Sequence, residues 1–340
     1  VKQIPQVMVP RKDGSTIADT IKAFGMIGFK GKSFLNTVMQ HPSLILHPPL
    51  QVFLVSSYMM SKQVRIKRNG LGSLYRKAPW LLDQNVEDMR KVGRWLTNIG
   101  IKDMEQVFRA HPEVLLQNIK QTLDRVYNFL VDDSDFDKGT GGGAGLDPED
   151  VPQVLELFPR LLSAGMPEHI DRVRHYMRSV GIPDQEVPKV VKAFPSILTL
   201  DIEDMQQVVV FLRGAGMESV GEMLTRLPSI LGYSVSAIAP KLEYFTEYMD
   251  LEIEELERFP AFFSYPLETI QTRTEFLAIL GNSISGVGLR RVLTPSDDDF
   301  SKKVVKVNPK FFQLFKNSYL KGGSKVKVPF EAALKKSSVP

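Results

Sequence analysis

The sequence predicts an all-α chain: a curved helical-repeat solenoid of about eight units, each made of two α-helices and a short 3-10 turn. Three observations predict it. First, one phrase keeps returning: an apolar residue or His, then Pro, then any residue, then two large apolar residues. It reads His41-Pro42-Ser43-Leu44-Ile45, Ala78-Pro79-Trp80-Leu81-Leu82, His111-Pro112-Glu113-Val114-Leu115 and Phe158-Pro159-Arg160-Leu161-Leu162. It continues as Phe194-Pro195-Ser196-Ile197-Leu198, Leu227-Pro228-Ser229-Ile230-Leu231 and Phe259-Pro260-Ala261-Phe262-Phe263. The prolines stand 37, 33, 47, 36, 33 and 32 residues apart. A near-fixed period in this range marks a stack of copies of one small unit. Second, the apolar residues between prolines recur at helical spacing. Third, glycine stands at a near-constant distance upstream of the proline.

The unit from Ile202 to Leu231, with Asp201 just before it, shows the logic. Asp201, Glu203 and Asp204 suit a helix start, where acids favour the positive end of the dipole. Met205, Val208, Val209 and Leu212 follow at helical spacing. Gly216 suits the left-handed residue that stops the helix. Ser219 is placed to cap a second helix through Val220, Met223, Leu224 and Leu227. Pro228 lacks an N–H and constrains Leu227, so this helix cannot run on. Ser229-Ile230-Leu231 then form a short 3-10 turn that plugs two apolar side chains into the stack.

The stop position recurs as Gly100 and Gly181, and the spacing assigns it to Asp250 and Asn282 in later units, residues that tolerate the left-handed conformation. The long gap before Pro159 holds an acidic and Gly-rich insertion over 132–147, expected to be a disordered and dispensable surface loop. Asn308-Pro309-Lys310-Phe311-Phe312 reads as a last, degenerate copy acting as an end cap. The expected organisation is an N-terminal extension over 1–20, one elongated repeat domain over 21–315, and a lysine-rich tail over 316–340. Residue 1 is Val, so an upstream segment such as a targeting peptide is expected.

The 340 residues carry a net charge of +4 and no cysteine. Disulfides, thiolate metal sites and thiol catalysis are excluded. No apolar run approaches the roughly 18 residues of a membrane span, so a soluble chain without a membrane partner is expected. Charge is sorted along the chain: +10 over residues 1–130, −15 over 131–300 and +9 over 301–340. A phosphate-binding path through the middle would need its few cations gathered on one face.

Aligning the first helices on their stop residues supplies a candidate face. Trp95, Tyr176, Phe211, Phe245 and Leu277 come into register, and four residues earlier stand Lys91, Arg172, Gln207, Lys241 and Arg273. Arg125 has the same offset from Phe129. Five of six positions are basic, and a residue repeated once per unit forms a ladder that can follow phosphates. The competing reading is a solvated face whose cations pair with acids one turn away, as Glu87 could with Lys91 and Glu168 with Arg172. Lys91, Arg125, Arg172, Lys241 and Arg273 are therefore the expected nucleic-acid contacts.

Catalytic and metal motifs are poor. Gly31-Lys32-Ser33 lacks the first glycine and the strand of a phosphate loop. Asp133, Asp135 and Asp137 have EF-hand spacing, but Lys138 and Ala144 replace the required Gly and Glu. Gly142 to Asp147 resembles a single calcium nonapeptide without the tandem copies such sites need. His41 and His111 occupy the pre-proline packing position, and His169 and His175 do not share a helix face. No catalytic triad or carboxylate dyad stands out, so no enzyme activity, metal or cofactor is expected.

The unit Ala193 to Leu198, the run Val209 to Gly216 and the stretch Phe259 to Glu268 resemble the mitochondrial transcription termination factor (mTERF) family. Pro240-Lys241-Leu242-Glu243-Tyr244-Phe245 resembles its first-helix motif, and Asp297 to Phe315 its C-terminal unit. The resemblance covers roughly residues 20–320. It implies a curved solenoid with a basic concave groove that binds double-stranded DNA, or structured RNA in some members. It also implies work inside mitochondria or chloroplasts, in transcription termination or initiation, intron splicing or ribosome assembly. The family's basic first-helix position maps onto Lys91, Arg172, Lys241 and Arg273; Gln207, the acidic insertion and the acidic middle depart from it. A monomer is expected. A protein-interaction scaffold is the rival class, favoured by an apolar rather than a positive face.

Overall fold

The computed structural model describes residues 11, 13–132, 143–163, 167–249 and 251–322. Among them every regular element is helical, and they cluster into two compact units. The first holds the chain up to Met177 together with Asp184–Thr199, and the second holds Arg178–Pro183 and everything from Leu200 onward. The boundary between the two units falls within the fifth repeat.

In the first unit, α1 (Ile17–Met26) and α2 (Gly31–Gln40) precede a 3-10 turn at Pro42–Leu46. α3 (Pro49–Met59) and α4 (Arg68–Lys77) lead to the turn Pro79–Asp83, and α5 (Val86–Asn98) and α6 (Met104–Ala110) to Pro112–Leu116. A π turn, Ile119–Leu123, opens α7 (Asp124–Val131); α8 (Val151–Leu157) and the turn Pro159–Ser163 follow. α9 (Pro167–Ser179), α10 (Val187–Ala193) and the turn Pro195–Thr199 complete the series.

The second unit repeats the pattern with α11 (Ile202–Gly214), α12 (Val220–Arg226) and the turn Pro228–Gly232, then α13 (Val235–Tyr248), α14 (Glu254–Arg258) and the turn Pro260–Ser264. It ends differently, with α15 (Leu267–Ile279), α16 (Ile284–Val287), α17 (Leu289–Leu293), α18 (Asp297–Asp299) running into a π turn at Phe300–Val304, and α19 (Pro309–Gly322).

The proline phrase is the joint of every repeat. The residue before Pro leaves the helical region: His111 sits at φ −147°, ψ 76° and Leu227 at φ −136°, ψ 72°. Its carbonyl then accepts from the N–H three residues on, as from Val114 to His111 at 3.3 Å and from Ile230 to Leu227 at 3.2 Å. That bond closes the 3-10 turn and drives the two following side chains inward. Leu81 and Leu82, Leu161 and Leu162, Ile197 and Leu198, and Phe262 and Phe263 are all 1% exposed or less. Each such pair contributes several kcal/mol of burial, at about 1.5–3 kcal/mol per side chain.

The helix stops also follow sequence logic, with one correction. Gly100, Gly181 and Gly216 adopt φ of 100°, 98° and 92°. Asn282 does not: Gly281, at φ 74°, is the left-handed residue, and the Asn282 N–H bonds the Leu277 carbonyl as that of Ile101 bonds Leu96. Glycine takes the position because it adopts positive φ without strain, so the true register there is one residue earlier. The stop assigned to Asp250 lies outside the described residues.

Inside the second unit the repeats touch backbone to backbone. A Cβ on Gly221 of α12 would stand 2.4 Å from the Gly181 carbonyl oxygen.

The expected loop over 132–147 is only partly testable, since 133–142 lies outside the described residues and with it the EF-hand-like aspartates. Its last residues are not a free loop. Ala144 N–H bonds the Phe129 carbonyl at 2.8 Å, Gly145 bonds Asp132 at 2.9 Å and Leu146 bonds Leu130 at 2.8 Å. Ala144 and Leu146 are both 2% exposed. This segment satisfies the open carbonyls at the end of α7 and packs beneath it.

α1 begins at Ile17 within the expected extension, with Thr16 and Asp19 forming a capping box. Pro309 starts a fourteen-residue helix rather than a 3-10 turn, so the expected last copy of the phrase is not one. α19 does cap the unit: Phe312 and Phe315 pack on Phe276, with ring centroids 5.1 Å away in both cases. It also absorbs residues 316–322 of the expected tail, and 323–340 lie outside the described residues.

Candidate nucleic-acid interface

Each first helix buries one stripe. In α5 the fourth, seventh, eighth and eleventh residues (Met89, Val92, Gly93 and Leu96) face inward, and in α11 the same positions are Met205, Val208, Val209 and Leu212. This is the i, i+3, i+4, i+7 stripe of an amphipathic helix. The sixth residue stands beside the stripe on the solvent side. Lys91, Arg172 and Gln207 hold that place and are exposed. In the π-opened helix the extra residue of the π turn shifts the frame by one, so Leu123, Val126 and Leu130 face inward. Arg125 thereby occupies the same outward place and is exposed.

Lys91, Arg125 and Arg172 all lie in the first unit. Lys91 pairs with Asp88 at 2.7 Å rather than with Glu87, which holds Arg90 instead. Both Lys91 and Asp88 are more than half exposed, so the pair is weak and exchangeable. Arg125 and Arg172 form no ion pair with a described residue. Trp95, one turn beyond Lys91, donates its indole N–H to Asp124 Oδ1 at 2.7 Å and packs edge-on against Tyr127. That contact locks α5 beside α7 and fixes the Lys91 helix against the Arg125 helix.

In the second unit the column does not continue. Lys241 and Arg273 are the seventh residues of α13 and α15, the inward place that Val92, Val173 and Val208 fill elsewhere. Arg273 is 4% exposed and its guanidinium is committed. Nη1 donates to the carbonyls of Val292 and Leu293 at 2.9 and 3.0 Å, and Nη2 to Asp297 Oδ1 at 2.8 Å. The guanidinium also lies 5.2 Å from the Phe300 ring centre. Arg273 thus ties α17 and Asp297 to α15, and burial removes it from the expected phosphate contacts. The register slip at Gly281 explains why sequence alignment placed it on the outer face.

Asp297 is the hub of that cluster. Burial would raise its pKa, but hydrogen bonds from Lys316 and Arg273 outweigh this and hold its carboxyl below the usual carboxylate range. Lys241 is half-buried, donates to the Phe263 carbonyl at 2.6 Å and lies 5.7 Å from the Tyr233 ring centre. Burial lowers its pKa. It staples the 3-10 turn of its own repeat.

Sequence alignment passed over the cations beside the column. Lys22 holds the sixth place of α1, paired with Asp19 at 3.7 Å. Arg90 and Arg94 flank Lys91 on α5, one turn apart and exposed. The signal available in the sequence was Gly93 inside this helix, a residue that lets another group approach closely.

Residues 142–301 match the family model described as mTERF, and the same α–α–3-10 unit repeats upstream of them. Among its relatives is the chloroplastic transcription termination factor MTERF8 of Arabidopsis thaliana, 25% identical over 68% of this chain and 44% of that protein. The chloroplastic transcription termination factor MTERF4 of Oryza sativa subsp. japonica is 34% identical over 28% of this chain and 19% of its own length. MTERF2 of Arabidopsis thaliana, also a chloroplastic transcription termination factor by name, is 24% identical over 47% of this chain and 20% of its own length. The chain spans less than half the length of these curated relatives.

Proposed function

We propose that this protein binds nucleic acid, double-stranded DNA before RNA, through the outward cations of its first unit, and that it acts in organellar gene expression as a regulator of transcription termination or initiation. The reading rests on one observation: three first helices of that unit present Lys91, Arg125 and Arg172 at the same outward place, two of them without an acidic partner among the described residues. Cations repeated at one place per repeat suit a phosphate backbone, whose charges also repeat. The relatives named as chloroplastic transcription termination factors support the process and favour the plastid over the mitochondrion. The role is one of binding rather than catalysis. The test is a titration of the full chain with duplex DNA, single-stranded DNA and structured RNA at several salt concentrations. Duplex binding with a steep salt dependence is expected. Preference for structured RNA would move the role to RNA processing, and no binding to any probe would overturn the reading.

A further inference from the structure

A second basic feature of the first unit lies off the outward column. Where α3 ends, the chain turns through Ser61, Lys62 and Gln63 and meets α5 across a cleft of about 400 Å³. Lys62 forms one wall, and Arg90 and Arg94 of α5 form the other. Lys62 and Arg94 are exposed and have no ion pair with a described residue. Arg90 has only Glu87, in a pair about half exposed on both sides. Among the described residues, no acid lines the cleft.

The floor is built closely. Tyr58 donates to the Met89 carbonyl at 3.0 Å, and its hydroxyl stands where a Cβ on Gly93 would lie, 2.2 Å away. Gln63 donates to Thr97 Oγ1 at 3.0 Å, pinning the turn to α5. Burial pushes the Tyr58 phenol up to about 12, and the positive charges of Arg90 and Arg94 oppose that shift. The two guanidiniums therefore act on the same spot. Ser61 lines the cleft, and its Oγ is buried without a hydrogen-bond partner. An unsatisfied hydroxyl in a cleft walled by three cations is a donor without an acceptor.

We infer that this cleft is a phosphate-binding site, with Lys62 and Arg94 as charged donors, Arg90 joining them on release from Glu87, and Ser61 Oγ donating from the floor. The source of the phosphate is the backbone of the bound nucleic acid, so the assignment rests on the function proposed above. The cleft would then hold a phosphate beside the Lys91 face of α5 and widen the basic path toward α3.

Two variants of the full chain test it. Lys62→Ala with Arg94→Ala removes two exposed cations and should leave the melting temperature unchanged. It should reduce the slope of log affinity against log salt on duplex DNA by about 1.8, at about 0.9 per lost phosphate contact. Ser61→Ala removes an unsatisfied buried hydroxyl, so it should fold as well as or better than the parent and still bind more weakly. A merely structural serine would not separate those two readouts. In parallel, the parent is titrated with inorganic phosphate while the arginine Nε resonances are followed. If the parent binds duplex and both variants match its affinity and slope, the inference is overturned. If inorganic phosphate saturates Arg94 while the duplex slope is unchanged, the site takes free phosphate and the nucleic-acid source is overturned. If the parent binds no nucleic acid, the proposed function fails by itself; saturable phosphate at Arg94 then still supports the site, and its absence overturns that too.

Discussion

Replacing Arg273 with Ala separates a structural cation from a binding one. The substitution removes three hydrogen bonds from a residue that is 4% exposed. Two are to the main-chain carbonyls of Val292 and Leu293, which are then left with buried lone pairs. The third is to Asp297, which keeps Lys316 at 2.7 Å. Breaking a buried ion pair costs about 3–5 kcal/mol. Asp297 is about one-third exposed and retains one cation, so about 3 kcal/mol is expected. For a unit of this size that is roughly 10 °C in melting temperature.

The acid limb of the unfolding curve should change with it. The folded pKa of Asp297 lies below its ordinary value of 3.8. Its contribution is therefore present above about pH 4 and is lost as pH falls through the folded pKa; the variant should lose less there. The assay is urea and thermal unfolding by circular dichroism, with duplex titrations at temperatures where both proteins are folded. The salt slope should be unchanged. Unaltered stability together with a slope smaller by about 0.9 would return Arg273 to the phosphate contacts.

Further outcomes follow from the packing. Gly221→Ala would drive a Cβ into the Gly181 carbonyl, so the second unit should lose about 1–3 kcal/mol in urea unfolding. Leu146→Ala should cost about 2–4 kcal/mol, because Leu146 is buried beneath α7; a loop that is dispensable through residue 147 would show no loss. His111 has its pKa lowered from 6.5 by burial, partly opposed by Glu113. The folded state thus binds fewer protons than the unfolded state below about pH 6.5, and stability should fall as pH drops through that window. In thermal melts between pH 7.5 and 5.5, His111→Phe should fall less steeply than the parent, the remaining slope arising from His47, whose pKa burial also lowers.

The joints of this fold were legible because proline acts locally. It denies the helix an N–H and constrains its neighbour whatever surrounds it, so seven phrases marked seven 3-10 turns. Glycine stops were legible for the same reason, until Gly281 and Asn282 stood side by side and spacing chose the wrong one. The site was less legible because exposure is not a local property. Lys91 and Arg273 looked equivalent at a fixed distance from the stop. A single residue of register, together with α17 and Asp297 packed over α15, turned one of them into core. The π turn at Ile119–Leu123 had the opposite effect, restoring Arg125 to the outward place by adding one residue. Pro309 shows the limit of the phrase itself: without a helix running into it, proline begins a helix at N1 as readily as it begins a turn.

The proposed function assigns phosphate contact to the outward cations of the first unit. Its most direct test is a combined Lys91→Ala, Arg125→Ala and Arg172→Ala variant, titrated with duplex DNA from about 50 to 200 mM salt beside the parent. All three side chains are exposed, so the melting temperature should stay within about 2 °C of the parent. The log affinity against log salt slope should shrink by about 2.7, and the loss should be similar on unrelated sequences, since phosphate contacts position without specifying. A folded variant that binds duplex with the parent's affinity and slope would contradict the account.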